Sequence, residues 1–194
     1  MGRDNGEPVD EEIQTYIAAR MYSQAWKLLA DTYYGAVFRY CVMVAGDEDR
    51  AWDITQDVFT AAYRGLSSIR ELAKIRGWLF SIARNQCLRH LAGRWGHTDK
   101  EQQHPESIEE LNHCPRPPDP AVTALAEEQL RQLRRALQQL PQDWREVLVL
   151  FYGLGDLPEL SADEIAGIVG LSRATVYRIH DRALKELRRI MHDG

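Results

Sequence analysis

Residues 95–121 offer almost nothing from which a core could be built. They hold five prolines (Pro105, Pro115, Pro117, Pro118, Pro120), no sustained apolar period, and from His97 onward six acidic residues against two basic ones. Such a stretch reads as a flexible or extended linker. The 194-residue chain is therefore constrained to two short halves, 1–94 and 122–194, each small enough to need an economical fold. On both sides apolar residues recur at steps of three and four, and alternating β-prone runs are scarce. The expected class is all-α: two small helical domains on a loose tether.

In the N-terminal half the periodicity predicts four helices. The first starts after Val9 with Asp10 as its cap and Ile13, Ile17 and Met21 as its apolar edge. The second covers 23–44, with Trp26, Leu29, Ala30, Tyr33, Val37, Tyr40, Cys41 and Val44 as a broad apolar face, and Gly46 closes it. A third opens at Asp47 or Asp49 and runs to Tyr63, turning Ile54, Val58, Phe59 and Ala62 inward. The fourth spans 75–91, with Trp78, Leu79, Ile82, Ala83 and Leu88 as core, and Gly93 ends the half. Trp78 is assigned to packing rather than to stacking on a base.

The C-terminal half carries a long helix over 119–140, a second from Gln142 with Trp144, Val147, Leu148 and Phe151, and then LSADEIAGIVGLSRATVYRIHDRALKELRRIM (160–191). Ser161 followed by Glu164 is a capping box for a short helix that Gly170 terminates. Ser172 caps the next, whose Val176, Ile179, Ala183, Leu187 and Ile190 form one stripe. A short helix, a glycine turn and a longer helix form a helix-turn-helix, and the face opposite the stripe carries Ala174, Tyr177, Arg178, Asp181, Arg182 and Lys185. Small, aromatic and basic residues on one face suit a DNA major groove. From Ser172 to His192 six basic residues stand against two acidic ones.

The net charge of −5 excludes a protein that coats DNA indiscriminately. Its distribution says more than its sum. Between Arg64 and Arg94 lie seven basic residues and one acid, Glu71, so two basic segments flank an acidic one, a distribution that suggests two nucleic-acid contacts on one chain. No run of eighteen apolar residues and no signal peptide is present, and three cysteines (Cys41, Cys87, Cys114) suit a reducing compartment. The expected location is cytoplasmic, without membrane insertion. Cys41 and Cys87 lie on helices and are expected to be buried thiols. His97, His104, His113 and Cys114 fit no standard zinc spacing, so no metal or other cofactor is expected. No phosphate-cradling glycine loop or nucleophile elbow occurs, and catalysis is not expected.

Three blocks in this order resemble the extracytoplasmic-function (ECF) group of the sigma-70 family, the small sigma factors of bacterial RNA polymerase that keep only regions 2 and 4. DRAWDITQDVFTAAY (49–63) is similar to that family's polymerase-binding helix, IRGWLFSIARNQCLRHL (75–91) to the promoter-opening helix, and LQQLPQDWREVLVLFYGLGDLPELSADEIAGIVGLSRATVYRIHDRAL (137–184) to the module that reads the upstream element. The resemblance implies region 2 over 1–94, a linker over 95–121 and region 4 over 122–194. It further implies that Asp53, Gln56 and Asp57 bind the β′ clamp helices of core polymerase and that region 4 meets the β flap. The loop 67–76 and the helix after it would capture a base flipped from the −10 element, with Arg76, Arg84, Asn85 and Arg89 on the strand. At the −35 element Tyr177, Arg178, Asp181 and Arg182 would meet base edges, Ala174 would allow close approach, and Ser172, Arg173, Thr175 and Lys185 would hold phosphates. An anti-sigma partner is implied as well. Two positions depart from the pattern: Trp52 stands where the family has an acid, and Asp181 where an aromatic or basic residue is common. The alternative reading is a stand-alone helix-turn-helix regulator whose N-terminal half senses a ligand or dimerises.

Overall fold

The computed structural model describes residues 7–69, 74–93, 124–153 and 160–193, and all regular structure among them is helical. In chain order the helices are α1 (Glu7–Ala18), α2 (Tyr22–Ala45), α3 (Glu48–Gly65), α4 (Ile75–Leu91), α5 (Ala124–Gln138), α6 (Gln142–Tyr152), α7 (Ala162–Val169) and α8 (Arg173–Asp193), with one 3-10 turn at Leu66–Ser68. The expected start of the fifth helix at residue 119 falls outside the described residues, as does the linker.

Local signals fix most boundaries. Gly46 takes φ 78° and its N–H donates to the Val42 carbonyl, which ends α2 in the left-handed conformation that glycine adopts without strain. Asp47 then caps α3 by accepting from the Arg50 N–H at 2.7 Å. Ser161 and Glu164 complete the capping box of α7, and Gly170 closes that helix at φ 70°. The Ser172 hydroxyl accepts from the Thr175 N–H at 3.2 Å and so opens α8.

Two expectations fail at the N-terminus. Asp10 is not a cap, because α1 already begins at Glu7 with Pro8 tolerated in its first turn. Instead Asp10 is buried, where it accepts a hydrogen bond from the Tyr33 hydroxyl and pairs with Arg76 at 2.9 Å. Met21 is 41% exposed and sits at the junction of α1 and α2 rather than on the apolar edge.

The predicted inner face of α2 is buried throughout, and so are Ala25, Tyr34, Ala36, Phe38, Val42 and Met43. Packing from several sides makes α2 the central helix. It contacts α1, α3 and α4 in its own half, and α5 and α6 in the other. In α4, Leu79 and Ala83 are buried as expected, together with Phe80 and Cys87, while Trp78 and Ile82 are partly buried against the core. The Cys41 and Cys87 thiols are buried side by side with sulfurs 3.9 Å apart, and their hydrogen bond and burial push the Cys87 thiol up in pKa.

Both halves share one contiguous core. Helix α6 lies between them with six consecutive buried residues, from Arg145 to Leu150. A helix buried all round is one with neighbours on every side.

Candidate nucleic-acid and polymerase interfaces

The face expected from the sequence to meet DNA stands on α8. Val176, Ala183 and Leu187 are buried, and Ile179, Leu184 and Ile190 pack against the core, so the helix is anchored along one stripe against α5, α6 and α7. The opposite side is open: Ser172, Arg173, Ala174, Tyr177, Arg178, Asp181, Arg182 and Lys185 are all exposed, with Thr175 half-buried between them. The structure thus brings every upstream-element candidate onto one face.

Several of these side chains are held in place. Arg173 pairs with Asp163 of α7 at 3.1 Å, and its guanidinium lies 5.7 Å from the centre of the Tyr177 ring. A hydrogen bond with Tyr177 and the nearby Asp163 carboxylate raise the Arg173 pKa. Arg178 donates to the Thr175 hydroxyl at 3.1 Å, which stands the guanidinium along the helix. Beside the face, the His180 ring stacks 4.5 Å from Phe151 and hydrogen-bonds both Tyr152 (3.0 Å) and Asp181 (3.0 Å). Asp181 nevertheless keeps 81% of its side chain in solvent, so an oxygen is open to a donor such as cytosine N4.

The acidic surface lies on α3. Asp53 is exposed, Gln56 and Asp57 are half-buried, and the spacing puts all three on one side. Gln56 donates to the Tyr34 hydroxyl at 3.3 Å, and Asp57 contacts His90 of α4 at 2.9 Å. Trp52, at the position where an acid was expected, makes edge-on contacts with Tyr34 (6.2 Å) and Phe38 (6.3 Å). Packing thus accounts for its presence.

The four −10 candidates do not share one environment. Asn85 and Arg89 are exposed one turn apart on α4, whereas Arg76 pairs with Asp10 and Arg84 with Glu146 of α6 at 2.8 Å. Burial raises the Asp10 pKa despite the opposing hydrogen bond from Tyr33 and charge of Arg76. Sequence reasoning missed Arg145 and Glu146, which resemble ordinary surface charges until the apolar run Val147–Phe151 around them is considered. Among the described residues no cluster of three or more His, Cys, Asp or Glu could hold a metal, and His97, His104, His113 and Cys114 lie outside them. No described helix is long and apolar enough to cross a membrane.

Family models described as "Sigma-70 region 2" and "Sigma-70, region 4" match residues 29–97 and 136–189. The RNA polymerase sigma factor YlaC of Bacillus subtilis is 30% identical over 160 residues, covering 82% of this chain and 87% of the relative. The chain belongs to the sigma-70 family of RNA polymerase sigma factors. Within that family it is similar to the ECF sigma factor SigW of Bacillus subtilis, at 28% identity over 85% of this chain and 88% of SigW. The sigma factor RpoE of Bartonella quintana, solved in complex with the anti-sigma factor NepR, shares the fold at TM-score 0.63 and 20% identity, covering 86% of this chain and 96% of that one. The two halves of this sigma factor thus each match a sigma region, which does not favour a stand-alone regulator.

Proposed function

We propose that this sigma factor binds core RNA polymerase in the cytoplasm and directs initiation at promoters carrying −10 and −35 elements, under the control of an anti-sigma factor. The observation that carries the reading is the open basic face of α8 on a doubly capped turn, in a chain whose other half matches region 2. RNA synthesis itself belongs to the polymerase.

Region 2 is assigned to 1–94, region 4 to 122–194 and the linker to 95–121. Asp53, Gln56 and Asp57 dock on the clamp helices, where carboxylates on one helical face suit arginines through charge-assisted hydrogen bonds. Arg76, Arg84, Asn85 and Arg89 contact the melted −10 strand. Arg178, Arg182, Tyr177 and Asp181 read −35 base edges, while Ser172, Arg173, Thr175 and Lys185 hold phosphates beside Ala174. The Bartonella quintana neighbour was solved with an anti-sigma factor bound, which supports one here.

The test is the order of assembly. Promoter duplex should be retained tightly only when core polymerase is present, and Asp53→Lys with Asp57→Lys should abolish that retention. Tight, sequence-specific binding of duplex by the chain alone would overturn the reading in favour of a stand-alone regulator.

A further inference from the structure

The exposed face of α8 is buttressed from the side by the end of α6. That helix finishes in Phe151 and Tyr152, after which Gly153 turns the chain away at φ 53°. Phe151 sets its ring 4.5 Å from the His180 imidazole and edge-on to Tyr177 at 6.0 Å, and the Tyr152 ring lies 5.5 Å from the same imidazole. His180 thus stands on the border between the buried stripe and the open face, with 15% of its side chain exposed, whereas Asp181 beside it is 81% exposed. An aspartate so solvated would exchange freely among its staggered rotamers if nothing held it.

The imidazole uses both of its nitrogens. Nδ1 meets Asp181 Oδ1 at 3.0 Å, and Nε2 meets the Tyr152 hydroxyl at 3.0 Å. A carboxylate only accepts, so in the neutral ring the proton lies on Nδ1, and Nε2 accepts from the Tyr152 O–H. This series of bonds engages one oxygen of Asp181 and leaves the other for an incoming donor. On the major-groove edge guanine, adenine and thymine each present an acceptor, and cytosine alone presents a donor, N4, with no acceptor of its own. A carboxylate held in one orientation therefore takes cytosine and rejects the other three, whereas one that swings can meet adenine N6 or turn aside from an acceptor. Ordering the side chain before DNA arrives also removes an ordering cost that corresponds to about twofold to tenfold in affinity.

We infer that His180 is a positioning residue for promoter selection: stacked on Phe151 and tied to Tyr152, it holds the Asp181 carboxylate in the orientation that selects cytosine at one position of the −35 element. The end of α6, which does not itself reach the DNA, thereby sets a base preference of α8. The inference rests on the proposed −35 contact of Asp181, while the held geometry is measurable without polymerase or DNA.

The experiment uses holoenzyme assembled from core polymerase and the full chain, presented with promoters whose upstream element is randomised. The parent should prefer cytosine at one position, and Asp181→Ala should remove that preference. His180→Phe keeps a ring against Phe151 but has no ring nitrogen; it should cut the preference about fivefold in the parent and change nothing at that position in an Asp181→Ala background. His180→Asn, whose amide N–H stands near the place of Nδ1, should keep most of the preference. In the free chain, heteronuclear NMR of the neutral His180 ring, assigned by its loss in His180→Phe, should show the proton on Nδ1. Equal weakening of every sequence by His180→Phe in both backgrounds would make His180 a packing residue only and overturn the inference, as would a proton on Nε2. A parent that initiates without any cytosine preference removes Asp181 as a reader and the inference with it. Failure of every form to initiate would instead remove the sigma-factor reading, and the position of the proton would still decide whether His180 holds Asp181.

Discussion

Arg145 is the residue whose loss should be felt most widely. Its guanidinium donates to four main-chain carbonyls: Leu137 (2.9 Å), Gln138 (3.1 Å) and Leu140 (3.2 Å) at the end of α5, and Val44 (2.7 Å) at the end of α2. Such carbonyls at helix ends mostly lack an intrahelical partner, although Leu137 also accepts from the Leu140 N–H at 3.1 Å, and the dipole there favours a cation. One side chain therefore closes two helices from opposite halves. Burial draws the Arg145 pKa downward and the neighbouring Glu146 opposes it. Truncation to alanine removes a charged donor from four acceptors. Each such bond contributes roughly 1.5–3 kcal/mol, but water enters the vacated space, and removal of one member of a buried charged group costs about 3–5 kcal/mol in total. For a chain of this length 1 kcal/mol corresponds to about 2–4 °C, so Arg145→Ala should lower Tm by roughly 6–20 °C in calorimetry. Arg145→Lys keeps the charge but has no planar fork, and should lose about half as much or more. A surface arginine would change Tm by no more than about 2 °C. A drop below about 3 °C for Arg145→Ala would refute the capping role.

Three further outcomes follow from particular contacts. Arg178→Ala should weaken binding of the holoenzyme to its preferred promoter by about 1–3 kcal/mol and relax selectivity at one −35 position, measured by competition between promoter variants; equal weakening on every sequence would make it a phosphate contact. Gly46→Ala should destabilise by roughly 2–3 kcal/mol in denaturant titration, because a Cβ at φ 78° is strained and would stand 2.6 Å from the Gln138 side chain that bonds Met43. Asp10 has a raised native pKa, so its contribution to stability is present in full below the unfolded carboxylate value and is lost as pH rises through the native one. Asp10→Asn should accordingly gain stability relative to the parent chain between pH 4 and pH 7, and a relative loss over that range would contradict the assignment.

Much of the architecture is legible because the signals are local. The fourth helix is read correctly over 75–91, and the box Ser161–Glu164, the glycines 46 and 170 and the Ser172 cap all act within a few residues of themselves. The open face of α8 follows from one stripe of apolar residues in the same way. Long-range pairing is what the pattern conceals. Asp10 looks like a cap because acids are common there, yet its partners Tyr33 and Arg76 are distant in sequence. Arg84 and Glu146 lie 62 residues apart and read as two solvated charges until packing buries them. The clue available beforehand was the run Val147–Phe151, too continuous for a helix with one wet side. Trp52 likewise reads as a missing acid but is explained by the edges of Tyr34 and Phe38.

The central claim is tested most directly by transcription itself. Core polymerase, the purified chain and a randomised promoter library would be incubated together and the transcripts sequenced. The account predicts start sites that depend on the chain and lie downstream of two separated sequence elements, the farther of which changes when Arg178 is replaced. Initiation no different from that of core polymerase alone would contradict it.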